Sequence, residues 1–149
     1  MSELGPKPTM ASIRLLLVDD HEVARRGIRS VLSHGPDLEV VGETADGEDA
    51  VRKVGELRPD IVLLDISLPG ISGFEAARSI NQISPESRII FISQYDSARI
   101  AKDALRMGAR GYVVKSDAAL DLLSAINAVH GGGTYVSRSI VAQGWTSPS

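Results

Sequence analysis

Ile61-Val62-Leu63-Leu64-Asp65-Ile66-Ser67-Leu68-Pro69-Gly70-Ile71-Ser72-Gly73 decides the fold. Four branched apolar residues in a row read as a strand buried on both faces, the texture of a parallel sheet sandwiched between helices. A carboxylate ends the run, Pro69-Gly70 supplies turn chemistry, and the stripe Phe74, Ala77, Ile80 starts a helical period. The unit is therefore strand, acid, turn, helix.

The same unit recurs on either side. Ile13 to Val18 runs into Asp19-Asp20, the strand Arg88 to Ser93 ends on a hydroxyl, and Gly111 to Val114 runs into Lys115. Helical stripes separate them: Ala24, Ile28, Val31, Leu32; Ala50, Val51, Val54, Leu57; Ala101, Ala104, Leu105; and Leu122, Leu123, Ile126, Val129. The remaining strand, Leu38 to Glu43, differs in carrying two carboxylates on one side, which suits a sheet edge. Right-handed crossovers with that strand at the edge predict an α/β fold, (βα)₅, with a five-stranded parallel sheet in the order 2-1-3-4-5, the flavodoxin-like arrangement. In such a sheet Asp19, Asp20, Asp65, Ser93 and Lys115 all gather at the carboxyl edge, where open α/β sheets build their sites.

Composition narrows the function. The chain has 149 residues, 43% hydrophobic and 23% charged, with a formal net charge of −3. That is one globular domain with no broad electrostatic pull toward nucleic acid or anionic membrane. The absence of cysteine excludes disulfides and thiolate metal sites, and three scattered histidines lack zinc spacing. No stretch approaches a membrane span and no secretory signal opens the chain, which points to the cytoplasm. Residues 1–12 read as a flexible leader, 13–131 as the domain, and 132–149 as a linker or tail entered through a flexible Gly131-Gly132-Gly133 exit.

The acidic edge carries the chemistry. Three carboxylates within a few ångströms repel one another, and a hard cation with oxygen ligands relieves the repulsion, so Mg²⁺ is the expected cofactor. With the cation bound, Asp65 is placed to act as a nucleophile toward a phosphoryl group, and the product is an aspartyl phosphate. Lys115 supplies a second positive charge and the Ser93 hydroxyl a hydrogen bond to the phosphate.

Val18-Asp19-Asp20-His21, Leu63 to Gly73, and Gly108-Ala109-Arg110-Gly111-Tyr112-Val113-Val114-Lys115 together resemble the three motifs of the receiver domain of bacterial two-component response regulators, over Ile13 to about Gly131. The resemblance implies that Asp65 is phosphorylated by a sensor histidine kinase. It implies that Asp19, Asp20 and Asp65 hold Mg²⁺ together with the backbone carbonyl of Ser67. It further assigns a switch to Ser93 and Tyr112: the hydroxyl moves toward the phosphate, the aromatic ring turns inward, and the surface from Asp96 to Gly131 changes. Many receivers place proline after the lysine, whereas Ser116 stands here. That departure and the segment His130 to Ser137 resemble the branch of nitrate-response-type regulators with a helix-turn-helix (LuxR-type) output domain. For that branch the resemblance implies a phosphorylation-linked homodimer and a DNA-binding domain that is absent from this chain, which itself is expected to contact no DNA.

Other readings compete residue by residue. Asp20 or Asp65 alone reads equally well as a helix N-cap, Lys115 alone as a solvated lysine, Ser93 as a turn hydroxyl and Tyr112 as core packing. His21 is expected to be solvated, and Arg25, Arg26 and Arg29 a solvated face, with part of a partner or dimer surface formed with the fifth helix as the alternative. A phosphatase of the haloacid-dehalogenase type is disfavoured because its general acid would fall at Ser67, so no enzyme beyond self-catalysed phosphotransfer and autodephosphorylation is expected. A flavin carrier is disfavoured because Asp19-Asp20 would repel the flavin phosphate. The alternative within the same fold is an unphosphorylated, stand-alone interaction module.

Overall fold

The computed structural model describes residues 12–148. The expected leader therefore lies outside the described residues, apart from Ser12. Along the chain run β1 (Ile13–Val18), α1 (Glu22–Leu32), β2 (Leu38–Thr44), α2 (Gly47–Leu57), β3 (Ile61–Leu64), α3 (Gly73–Ile83), β4 (Arg88–Ser93), α4 (Ala98–Arg106), β5 (Gly111–Val114), α5 (Ala118–His130), β6 (Tyr135–Val136) and α6 (Arg138–Val141). A single 3₁₀ turn, Lys115–Asp117, joins β5 to α5.

The strands pair in parallel in the order β2-β1-β3-β4-β5-β6. The unbroken apolar runs follow from two cores. Leu16, Val18, Val62, Leu64, Ile89 and Phe91 face α2, α3 and α4, while Leu15, Leu17, Ile61, Leu63, Ile90 and Ile92 face α1 and α5. Each strand alternates between the two faces, so every residue of β3 and β5 is buried. β2 holds the edge and is half-exposed.

The five-stranded sheet expected from sequence is corrected to six. Tyr135 and Val136 pair with Gly111 and Tyr112 and cover the far side of β5. A two-residue strand shows no alternation to read, which hides it from pattern analysis. The glycine run expected as a flexible exit instead makes a hydrogen-bonded reversal: Gly131 N donates to Asn127 O at 3.1 Å and Gly133 N to Ala128 O at 2.9 Å. Gly132 takes a φ of +99°, a conformation that favours glycine.

Two local devices fix the loop after β3. Ser72 and Glu75 form a reciprocal capping box at the start of α3. Gly73 then packs directly on that loop, with its N–H donating to Ile66 O at 2.7 Å. A Cβ at position 73 would collide with Asp65 O and Ile66 Cα.

Candidate functional site

β1, β3 and β5 deliver their terminal side chains to one point at the carboxyl edge. Asp19 and Asp65 are buried, Asp20 stands at the rim, and the half-buried stem of Lys115 reaches in from the end of β5. Lys115 Nζ lies 3.0 Å from Asp65 Oδ2, to which it donates a hydrogen bond, and 2.8 Å from Asp19 Oδ2. The second contact is an ion pair by distance but is not aligned as a hydrogen bond. Asp19 Oδ2 is thus a buried oxygen at which no donor among the described residues aims.

The other carboxylate oxygens are held by the backbone. Asp19 Oδ1 accepts from His21 N at 2.9 Å, and Asp65 Oδ1 from Ser67 N at 3.2 Å. Asp65 N donates to Val18 O at 3.0 Å, which fixes the start of one acidic loop against the other. The loop after β1 is further tied by Arg25, whose guanidinium donates to Asp19 O.

Burial pushes the Asp65 carboxyl above its ordinary range, and the Asp19 charge adds to this; the hydrogen bond and charge of Lys115 pull the other way without overcoming it. For Lys115 burial opposes the charged form, but its two carboxylate partners outweigh burial and hold the ammonium above its usual value. Three carboxylates against one ammonium leave an excess of negative charge in a partly desolvated pocket. Asp19, Asp20, Asp65 and His21 offer ligand atoms that all lie within 4.8 Å of one another. The orphaned Asp19 oxygen and the carboxylate-rich donor set fit a hard divalent cation such as Mg²⁺.

The remaining residues meet at the loop after β4. Ser93 is buried at the end of that strand, and its Oγ accepts from Tyr95 N at 2.9 Å. Tyr112 is fully buried, with its ring inward and its hydroxyl donating to Tyr95 O at 2.7 Å. Tyr95 OH in turn lies 3.2 Å from Ser67 Oγ. The structure thus brings Asp19 and Asp65 into contact with Lys115 and a ligand atom of Asp20 within 4.8 Å of the two acids, bonds Ser67 N to Asp65 directly, and links Ser93 and Tyr112 to Ser67 through Tyr95.

Sequence reasoning missed two participants, Arg25 and Gln143. His21 Nδ1 sits 3.1 Å from Asp20 Oδ1 with its side chain exposed, in keeping with the solvated histidine expected there. Arg25 was read as part of a solvated face, yet it also pairs with Glu43 at 3.4 Å, as Arg29 does at 2.6 Å. Gln143 reaches the loop after β4 from far along the chain, and no local pattern announces it.

Residues 15–127 match the family model of the response regulator receiver domain. The response regulator UvrY of Escherichia coli strain K12 is 39% identical over 131 residues, covering 88% of this chain and 60% of that protein. A LuxR-family two-component response regulator from Aurantimonas superposes with a TM-score of 0.83 at 38% identity, covering 88% of this chain and 94% of that one. The RcsB response regulator of Salmonella typhimurium, in a structure concerned with DNA interaction, gives a TM-score of 0.83 at 26% identity, covering 89% of this chain and 67% of that one. The chain spans 54–61% of the length of the first curated relatives it matches.

Proposed function

We infer, since this chain belongs to the family of response regulator receiver domains, that Asp65 is its phosphoacceptor and that a sensor histidine kinase is the donor. The observation that carries this reading is the Lys115 ammonium within 3.0 Å of both buried carboxylates, Asp65 and Asp19.

An Asp65 oxygen attacks the phosphorus of the donor phosphohistidine; the new O–P bond forms as the P–N bond breaks, and the electron pair leaves on the imidazole nitrogen. Lys115, now shared by two carboxylates, turns its donors to the phosphoryl oxygens. When bound by Asp19, Asp20, Asp65 and the Ser67 carbonyl oxygen, Mg²⁺ offsets the charge of the incoming phosphate. Ser93 gives up Tyr95 N and donates its hydroxyl to the phosphoryl group. The Tyr112 ring is already inward, so its part in the switch is the hydroxyl bond to Tyr95 O, which couples it to movement of that loop.

The chemistry is self-catalysed phosphotransfer and autodephosphorylation only, in the cytoplasm. The output is a changed α4-β5-α5 surface that controls homodimerisation or a DNA-binding domain. Residues 13–131 form the phosphorylatable unit and 132–149 its connection to such a domain; this chain itself contacts no DNA. No helix among the described residues is long and apolar enough to cross a membrane.

The test is intact mass after incubation with acetyl phosphate, with and without Mg²⁺. A Mg²⁺-dependent, hydroxylamine-labile gain of one phosphoryl group, absent in Asp65→Ala, is the expected outcome. No gain in folded protein under any condition would overturn the reading in favour of the unphosphorylated interaction module.

A further inference from the structure

The segment after α5 returns to the sheet and stays there. Beyond the β5–β6 pairing, Ser137 is buried, with its N–H donating to Tyr112 O at 3.0 Å and its Oγ accepting from Val114 N at 3.0 Å. α6 is pinned by two buried carboxylates. Asp121 accepts from Arg138 N, Nε and Nη2 at 2.8, 3.1 and 2.9 Å, and Asp117 accepts from Ser139 N and Oγ at 3.1 and 2.8 Å. Ile140 is fully buried in the core that contains Ala101 and Ala104 of α4.

Gln143 then closes on the loop between β4 and α4. Its Oε1 accepts from Ala98 N at 3.1 Å, an otherwise free amide at the start of α4, and its Nε2 donates to Asp96 O at 3.3 Å and Asp96 Oδ1 at 2.5 Å. Trp145 follows, partly buried against the same core and lining a cavity with Ala98, Arg99 and Lys102. The clasped loop is the one whose Tyr95 bonds Ser93, Ser67 and Tyr112. Two consecutive residues therefore face in two directions: Tyr95 toward the acids and Asp96 toward the tail.

We propose that the α4-β5-α5 surface is occupied by the chain's own segment Tyr135 to Trp145, and that Gln143 is the latch through which the acidic site controls this occupancy. When Ser93 leaves Tyr95 for a phosphoryl oxygen, the Tyr95-Asp96 backbone shifts and Gln143 loses Asp96 and Ala98 together. The tail then lifts from α4 while the Asp121–Arg138 anchor keeps it tethered. The surface is exposed to a partner only in the phosphorylated form. Coupling is reciprocal, so a broken latch favours the phosphorylated arrangement by the same factor by which phosphorylation weakens the latch.

The proposal rests on Asp65 as phosphoacceptor, and its test separates the two. Beryllofluoride with Mg²⁺ serves as the phosphoryl mimic, and the bound fluorine signal in ¹⁹F NMR reports Asp65 directly. Trp145, the only tryptophan in the chain, reports the tail. Saturation is expected to shift Trp145 emission to the red. Gln143→Ala is expected to show that shift without ligand and to bind beryllofluoride about five- to tenfold more tightly, the scale of one or two hydrogen bonds. Amide exchange at the clasped Ala98 N–H should rise in step. A bound fluorine signal with unchanged Trp145 emission, and equal affinity in wild type and Gln143→Ala, would overturn the latch alone. No bound signal in folded wild-type protein would overturn the phosphoacceptor reading and the latch with it.

Discussion

The acidic edge and the tail anchor are both built on buried carboxylates, and they are finished in opposite ways. Asp121 receives three hydrogen bonds from Arg138. Burial would push its carboxyl up, but the side-chain and backbone bonds from Arg138 overcome that and hold it below the usual carboxylate range. Asp65 is buried as well, shares one lysine with Asp19, and ends above that range. Asp19 keeps an oxygen with no aligned donor among the described residues. A satisfied buried acid is a fastening, whereas an under-satisfied group of acids holds free energy that a bound cation would release.

The largest effect that would break this contrast is at Asp65. Asp65→Ala should abolish the phosphoryl gain by mass, and thermal unfolding in the absence of divalent cations should show no loss of stability, since one like charge leaves a crowded pocket. Asp19→Asn comes next: Mg²⁺ affinity measured by calorimetry should fall more than tenfold, because a direct ligand is worth at least what an outer-shell partner is worth.

Asp121→Ala should behave in the opposite sense, lowering stability in urea by roughly 1–3 kcal/mol, since it strips Arg138 N–H and its guanidinium of their acceptor. If Asp121→Ala proved neutral and Asp19→Asn strongly destabilising in cation-free buffer, the contrast would be wrong.

The smallest effect sharpens it through pH. Because the folded Asp121 carboxyl lies below its unfolded value, its contribution is fully present above the ordinary carboxylate value of about 4. It is lost as pH falls from there through the lowered folded value. The protection factor of the Arg138 amide, whose N–H bonds Asp121, should therefore fall with acid over that window, and the fall should be missing in Asp121→Asn.

The comparison also explains what was legible in the sequence. Asp19, Asp20, Asp65 and Lys115 each end an apolar run, so strand pattern alone carried them to one edge. Asp121 interrupts nothing: it precedes Leu122 in a strongly apolar helix and reads as a solvent-facing acid, because its partner Arg138 lies in a separate element. β6 was hidden by its two-residue length, and the bonds of Tyr95 by reaching two distant residues, Ser67 and Tyr112. Ser93 was expected to serve a phosphate; in this structure its hydroxyl is engaged by Tyr95 N, an arrangement no periodicity encodes.

Gly73 shows how little of a site's mutational sensitivity resides in the groups that do chemistry. It offers no functional atom, yet the first carbon of any side chain there would strike the backbone oxygen of Asp65. Position 73 thus has almost no tolerance for change, set by the van der Waals radius of a neighbouring residue. A search for important positions confined to ionisable or nucleophilic side chains would pass over it.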